Sequence, residues 1–260
     1  ELIAIDDNGC IGKTVEVVKV SNNPIADINF NNNGFLEACE GETIQIEDNS
    51  NWIDFGPNTF LWSINPGSPA ATITNNTNSW TECEFVNAGI YTLRLNITDQ
   101  NNCSGFTEIS NINIWNNPIA DFEYSTILCE NNPISFTDIS NDGDGDINNW
   151  LWNFGNNSNP PNNTSNIPNN SIDVSYSSNG QKNITLEVTD DNGCSDLKPI
   201  TININELPTA NFVSTKVCIG QPVEFTNLSS PINNIISYEW NLSDGWDTTI
   251  NTNNFLSFKH

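Results

Sequence analysis

Three segments of the chain recur in the same order at intervals of about 90 residues. "PIADINF" at 24–30 returns as "PIADFEY" at 118–124 and "PTANFVS" at 208–214. "CEGETIQIED" from Cys39 returns as "CENNPISFTD" from Cys129 and "CIGQPVEFTN" from Cys218. A tryptophan segment follows each time: "FLWSI" around Trp62, "WLWNF" around Trp152 and "YEWNL" around Trp240. A fourth segment ends in cysteine: "ELIAIDDNGC" at Cys10, "LRLNITDQNNC" at Cys103 and "TLEVTDDNGC" at Cys194. A chain built this way folds one unit several times. It divides into the tail of one repeat (1–22), two whole repeats (23–115 and 116–206) and the first part of another (207–260). Residue 1 falls inside a strand, residue 260 precedes a segment present in the other copies, and Met is absent. The protein is therefore expected to continue in both directions.

Within a repeat, "TLRLNIT", "TLEVT", "TIQIED" and "ISFTD" alternate apolar and polar residues, the period of a half-buried strand. Asn-Gly pairs at 8–9, 179–180 and 192–193 mark tight turns, because both residues tolerate positive φ. No segment holds a helical period for ten residues, and Asn, a poor helix former, makes up about a fifth of the chain. About seven short strands per repeat predict an all-β chain of tandem immunoglobulin-like β-sandwiches in a linear head-to-tail array. Trp62, Trp152 and Trp240 are expected between the sheets on a central strand.

The order Pro-x-Ala-x-Phe, Cys-x-Gly-x-x-Val-x-Phe, Trp-x-Phe-Gly, Tyr-x-x-x-Gly and Leu-x-Val-Thr-Asp-x-x-Gly-Cys resembles the PKD domain family. The second repeat carries the resemblance most fully, with "PIADF", "WNFG" at 152–155, "YSSNG" at 176–180 and "LEVTDDNGC" at 186–194. The first repeat departs from it with "WSINPG" and the third with "WNLSDG". The cysteine-bearing variant is similar to tandem modules in surface proteins and adhesins of gliding, Bacteroidota-type bacteria. PKD modules also occur as spacers in secreted proteases and chitinases. The resemblance implies a β-sandwich, a place outside the cell and a non-catalytic role. A stalk, filament or adhesin at a bacterial cell surface is one expectation; a spacer or substrate-binding array of a secreted hydrolase is the other.

Composition fits an extracellular module. Seven cysteines at regular places suit an oxidising compartment. Lys and Arg number 7 against 32 Asp and Glu, a formal charge of -25, which repels nucleic acid and anionic membranes. No stretch has the apolar length of a membrane span. The expected partners are neighbouring repeats, identical chains in a filament, and an unidentified cell-surface or polysaccharide ligand.

Immunoglobulin topology constrains the cysteines. Cys39, Cys129 and Cys218 precede the second strand; Cys10, Cys103 and Cys194 lie at the last hairpin. These positions fall at opposite poles of one sandwich, whereas a disulfide needs Cα atoms within about 7 Å. Head-to-tail stacking brings the first turn of one repeat to the last hairpin of the next, so Cys39 is expected to pair with Cys194. The alternative keeps the bonds within repeats, Cys39 with Cys103 and Cys129 with Cys194. Cys83 stands where the second repeat has Val174, and is expected to be a buried free thiol or a cross-link to another chain.

Candidate sites are few. "NDGDGDINNW" at 141–150 offers Asp142, Asp144 and Asp146 to Ca²⁺, which takes several oxygen ligands. It is also readable as a solvated turn, and Ile147 and Asn153 stand where an EF-hand needs Gly and Glu. Asp6, Asp99 and Asp190 are expected to cap the hairpin turn. Trp80 and Trp115 lack counterparts in the other repeats, so each is a candidate carbohydrate-stacking platform or an ordinary packing or junction residue. The only histidine is His260, so no Ser-His-Asp or Cys-His centre can be assembled inside a whole repeat. An enzyme is not expected.

Overall fold

The short alternating segments become strands throughout. The computed structural model describes residues 1–30, 37–67, 69–165, 171–252 and 255–260. Among these there is no α-helix; the only helical turn is a 3-10 turn at Ile232–Asn234. β1 (Leu2–Ile5) and β2 (Ile11–Thr14) form a two-stranded antiparallel hairpin, exposed along its whole length.

The first sandwich comprises β3 (Ile28–Phe30), β4 (Glu37–Cys39), β5 (Thr43–Asp48), β6 (Pro57–Asn65), β7 (Ala71–Thr74), β8 (Trp80–Phe85), β9 (Gly89–Asp99) and β10 (Ser104–Trp115). One sheet runs β3-β5-β8-β7 and the other β4-β10-β9-β6. All pairings are antiparallel except β4 on β10, which is parallel. Period-two alternation sends Tyr91, Leu93, Leu95 and Ile97 of β9 inward against Ile46, Trp62, Phe85, Ile112 and Ile114. Trp62 satisfies its indole N–H on the carbonyl of Asn78 at 2.9 Å, so the ring is buried without an orphaned donor.

The second sandwich repeats this with β11 (Phe122–Tyr124), β12 (Ile134–Asp138), β13 (Ile147–Asn153), β14 (Ser158–Asn159), β15 (Asn162–Ser165), β16 (Ser171–Tyr176), β17 (Gly180–Asp190) and β18 (Ser195–Ile204). Its sheets run β11-β12-β16-β14 and β15-β13-β17-β18. Its core is more aromatic. Trp152 meets Phe122 edge-on at 5.0 Å between centroids and stacks on Phe154 at 5.5 Å. Trp150, buried beside them, donates to the Asp138 carboxylate at 2.9 Å. The two cores are separate clusters, so each sandwich buries its own apolar face.

Beyond them, β19 (Phe212–Ser214), β20 (Glu224–Asn227) and β23 (Ser257–Lys259) form one sheet, and β21 (Tyr238–Asn241) and β22 (Asp247–Ile250) a second. Trp240 again sits against aromatic rings, Phe212 at 5.2 Å and Phe258 at 4.8 Å. A cavity of about 430 Å³, lined among others by Phe212, Tyr238, Trp240 and Leu242, lies beside β21. In the second sandwich the matching strand, β13, is covered by β17, with Trp152 opposite Leu186.

Candidate functional site at the sandwich junction

The recurring cysteine segment folds the same way three times. One oxygen, Oδ1, of Asp6, Asp99 and Asp190 accepts two backbone amides, two and four residues on. The distances are 3.0 and 2.7 Å from Asn8 and Cys10, 2.8 and 2.9 Å from Asn101 and Cys103, and 3.0 and 2.8 Å from Asn192 and Cys194. The residue before each cysteine has positive φ, +78° at Gly9, +63° at Asn102 and +87° at Gly193, which explains why only Gly or Asn stands there. The turn delivers its cysteine at the mouth of the next strand. At Asp6 the amide of Cys10 holds the carboxyl below its usual pKa, since the hydrogen bond favours the ionised form.

The other cysteine segment ends β4. Cys39 lies opposite Trp115 in the parallel ladder, Glu40 N–H donates to the Trp115 carbonyl at 2.9 Å, and Gly41, at φ +83°, donates to the Phe85 carbonyl at 2.6 Å. The sulfurs of Cys39 and Cys194 are bonded at 2.00 Å, with Cα atoms 5.6 Å apart and a sequence separation of 155. The first turn of one sandwich is thus joined covalently to the last hairpin of the next. Each sulfur forms a single disulfide, so neither within-repeat pair, Cys39–Cys103 nor Cys129–Cys194, is present; Cys103 and Cys129 are half-buried thiols, and Cys10 and Cys218 exposed ones.

The linker beside the disulfide is held by the loop read as a Ca²⁺ candidate. Oδ2 of Asp144 accepts the backbone N–H and the side-chain amide of Asn116, at 2.7 and 3.1 Å. Asn117 extends its amide to the Glu40 carbonyl in the first sandwich at 3.1 Å. A Cβ on Gly143 would stand 2.3 Å from the Asn116 carbonyl oxygen, so the linker passes where only glycine leaves room. The same clamp recurs at the preceding linker, where Oδ2 of Asp54 accepts both groups of Asn22 at 2.7 and 3.1 Å.

The same loop's contacts engage two of the three carboxylates read as Ca²⁺ ligands. Asp142 accepts the Ile147 amide at 2.9 Å and Asp144 holds the linker, while the Asp146 carbonyl receives the Asp191 amide at 3.1 Å. Oδ1 of Asp142 and Oδ2 of Asp144 are thus taken up by the chain's own N–H groups. Among the described residues no three His, Cys, Asp or Glu side chains are grouped to hold a metal ion.

The remaining candidates are dispersed. Cys83 is a free thiol with no exposed surface, and burial pushes its pKa up to about 12. Trp80 and Trp115 are half-buried on outward-facing positions, each next in sequence to an inward one, Thr81 and Ile114. They lie on different sheets and form no common platform. His260 bonds Asp244 at 2.8 Å, and the imidazole holds that carboxyl below its usual range. The clamp escapes motif reading because it depends on a contact between segments about 30 residues apart. The faint signal for the clamp is the shared "NNP" at 22–24 and 116–118.

The class of protein is defined by these features: an all-β chain of tandem immunoglobulin-like sandwiches in a head-to-tail array, cross-linked at a junction. Residues 115–204 match the family model for the PKD domain, and the chain carries a PKD domain there. Two curated relatives, the pre-pro-metalloprotease PrtV of Vibrio cholerae from two strains, are each 31% identical over 132 residues. That match takes in 49% of this chain and 13% of the relatives' length. Among solved structures, the PKD1 domain of PrtV is 34% identical, covering 34% of this chain and 98% of that domain, at a TM-score of 0.29. The PKD1 domain of Vibrio anguillarum Epp is 27% identical over 35% of this chain and 96% of its own, also at 0.29. The titin I-band fragment I67–I69 is 13% identical over 92% of this chain and 88% of its own, at 0.39.

Proposed function

We propose that the chain is a non-catalytic, extracellular tandem-repeat segment of a large bacterial surface protein, working mechanically as part of a stalk, filament or adhesin. The units are taken as 1–22, 23–115, 116–206 and 207–260. The observation that supports this reading is the Cys39–Cys194 bond between consecutive sandwiches. A covalent bond to the neighbour stabilises any module, and in a rod under tension it also adds stiffness along the array. Linker clamps of the same geometry at two successive junctions point the same way. Stability in such an array is the sum of unit and nearest-neighbour terms, and the disulfide raises the neighbour term.

A second reading has one observation in its favour. The relatives matched over 132 residues are metalloproteases, and a spacer array in a secreted hydrolase would use the same sandwiches to hold a catalytic domain. Under that reading Trp80 and Trp115 are the places where a polysaccharide would stack.

Electron microscopy of the intact protein released from its source cells separates the two. A long beaded thread with a spacing of about 35–45 Å per bead supports the surface-filament reading. A compact particle bearing a short tail of a few beads removes it in favour of the spacer.

A further inference from the structure

Four thiols outside the disulfide sit in the backbone settings of the two that form it. On the turn side, Glu130 N–H donates to the Asn205 carbonyl at 3.0 Å, as Glu40 does to Trp115; Asn131, at φ +60°, donates to Tyr176 at 2.8 Å, as Gly41 does to Phe85. Cys129 forms a parallel bridge with Asn205, as Cys39 pairs with Trp115. Cys218 has the same following turn, with Gly220 at φ +82° and Gln221 N–H on the Cys218 carbonyl at 3.0 Å. On the hairpin side, Cys10 and Cys103 occupy the aspartate-capped turn that presents Cys194. Cys194 is 1% exposed, whereas Cys103 and Cys129 are half-buried and Cys10 and Cys218 open to solvent. The closed bond in the same chain shows what such a pair of halves does when both are present.

We propose that these are open halves of one repeating clasp. Cys129 and Cys218 each receive the hairpin cysteine of the sandwich that follows, and Cys10 and Cys103 each reach back to the first-turn cysteine of the sandwich before. The proposal rests on the tandem-array reading above. Every sandwich then carries two bonds, one to each neighbour, and none within itself. Closing a clasp removes two electrons and two protons from two thiols, which a disulfide oxidant accepts. One thiolate attacks the oxidant's S–S bond and expels a thiolate; the second cysteine attacks the mixed disulfide and expels the other, leaving two reduced oxidant thiols.

The test is a disulfide map of the protein isolated from its source, alkylated before any reduction and digested without reductant. The expected result is Cys129 linked to a peptide from beyond residue 260 carrying an Asp-x-x-Gly-Cys or Asp-x-x-Asn-Cys hairpin, with Cys39–Cys194 intact. Cys103 is expected on a peptide preceding residue 1. Cys129 found alkylated, joined to Cys103, or joined to Cys10 of a second copy overturns the proposal. The map is read independently of particle shape, so a compact enzyme with clasped spacers would sink the filament reading and leave the clasp standing.

Discussion

The Asp144 carboxylate grips the linker residue Asn116 through both its backbone and side-chain N–H groups, at 2.7 and 3.1 Å. Asp54 grips Asn22 with the same two distances. A bond repeated at successive linkers is expected to bear on the angle between units more than on the fold of either. Asp144→Ala is therefore expected to cost only about 1 kcal/mol, since the group is near the surface, while broadening the distribution of angles between the sandwiches. Spin-label distances across the junction, taken with the disulfide reduced, check this. Asp144→Asn keeps an acceptor oxygen and should narrow the distribution again; identical widths in all three proteins would mean the linker is held by something else.

Removing the Cys39–Cys194 bond should lower stability without unfolding either core, because each sandwich buries its own cluster. The loop spans 155 residues, for which the chain-entropy model gives a ceiling of about 5 kcal/mol. Cys39→Ser with Cys194→Ser should shift the urea midpoint down and leave near-ultraviolet tryptophan signals intact at zero denaturant. Loss of those signals in the variant would show that the bond is needed to form a core.

Thiol labelling of the 260-residue chain at pH 8 should follow burial. Cys10 and Cys218 react first, Cys103 and Cys129 more slowly, and Cys83 only after denaturation, because its thiol is raised to about 12 and has no exposed surface. Cys83 faces Ile44 and Ile73 on the neighbouring strands, so Cys83→Val should change stability by less than about 1 kcal/mol. Cys83→Asp should cost several times that, since it buries a charge without a partner. Rapid native labelling of Cys83 would contradict the packing.

The Lys198 ammonium lies 3.1 Å from Asp121 and, by hydrogen bonding to it, holds that carboxyl below its usual range. A carboxyl lowered in the folded state adds stability above its unfolded pKa, and that stability is lost as pH falls through the folded value. Lys198→Met should therefore lower the melting temperature slightly at pH 7, and less in high salt, with no difference from the parent near pH 2. A gap that persists at pH 2 would trace the effect to packing of the lysine stem.

Much of the fold is legible because its determinants are local. Alternation in "TLRLNIT" is β9, and the Asp-x-x-Gly/Asn-Cys turn follows from one carboxylate and one positive φ. The role of Asp144 is not legible in this way. A run of acidic residues with glycines reads as a cation loop, and only the path of the linker over Gly143 shows that the carboxylate faces an amide from 28 residues upstream. Trp80 and Trp115 are ambiguous for a related reason: period two says which face of a strand a ring occupies, but not how far its neighbours cover it.

Pulled from its ends, the chain carries tension to Cys39, across the sulfurs and out through Cys194. The intervening 155-residue span, roughly 500 Å if drawn straight, never enters the line of force. With the proposed clasps closed, the shortest covalent route through a longer array would leave one bond at Cys194 and enter the next at Cys218. Those 24 residues reach about 80 Å, close to the length of the two folded sandwiches they would serve. Unfolding would then release almost no slack. Such a thread would be taut from the start and would yield by breaking a bond or releasing its anchor, not by lengthening.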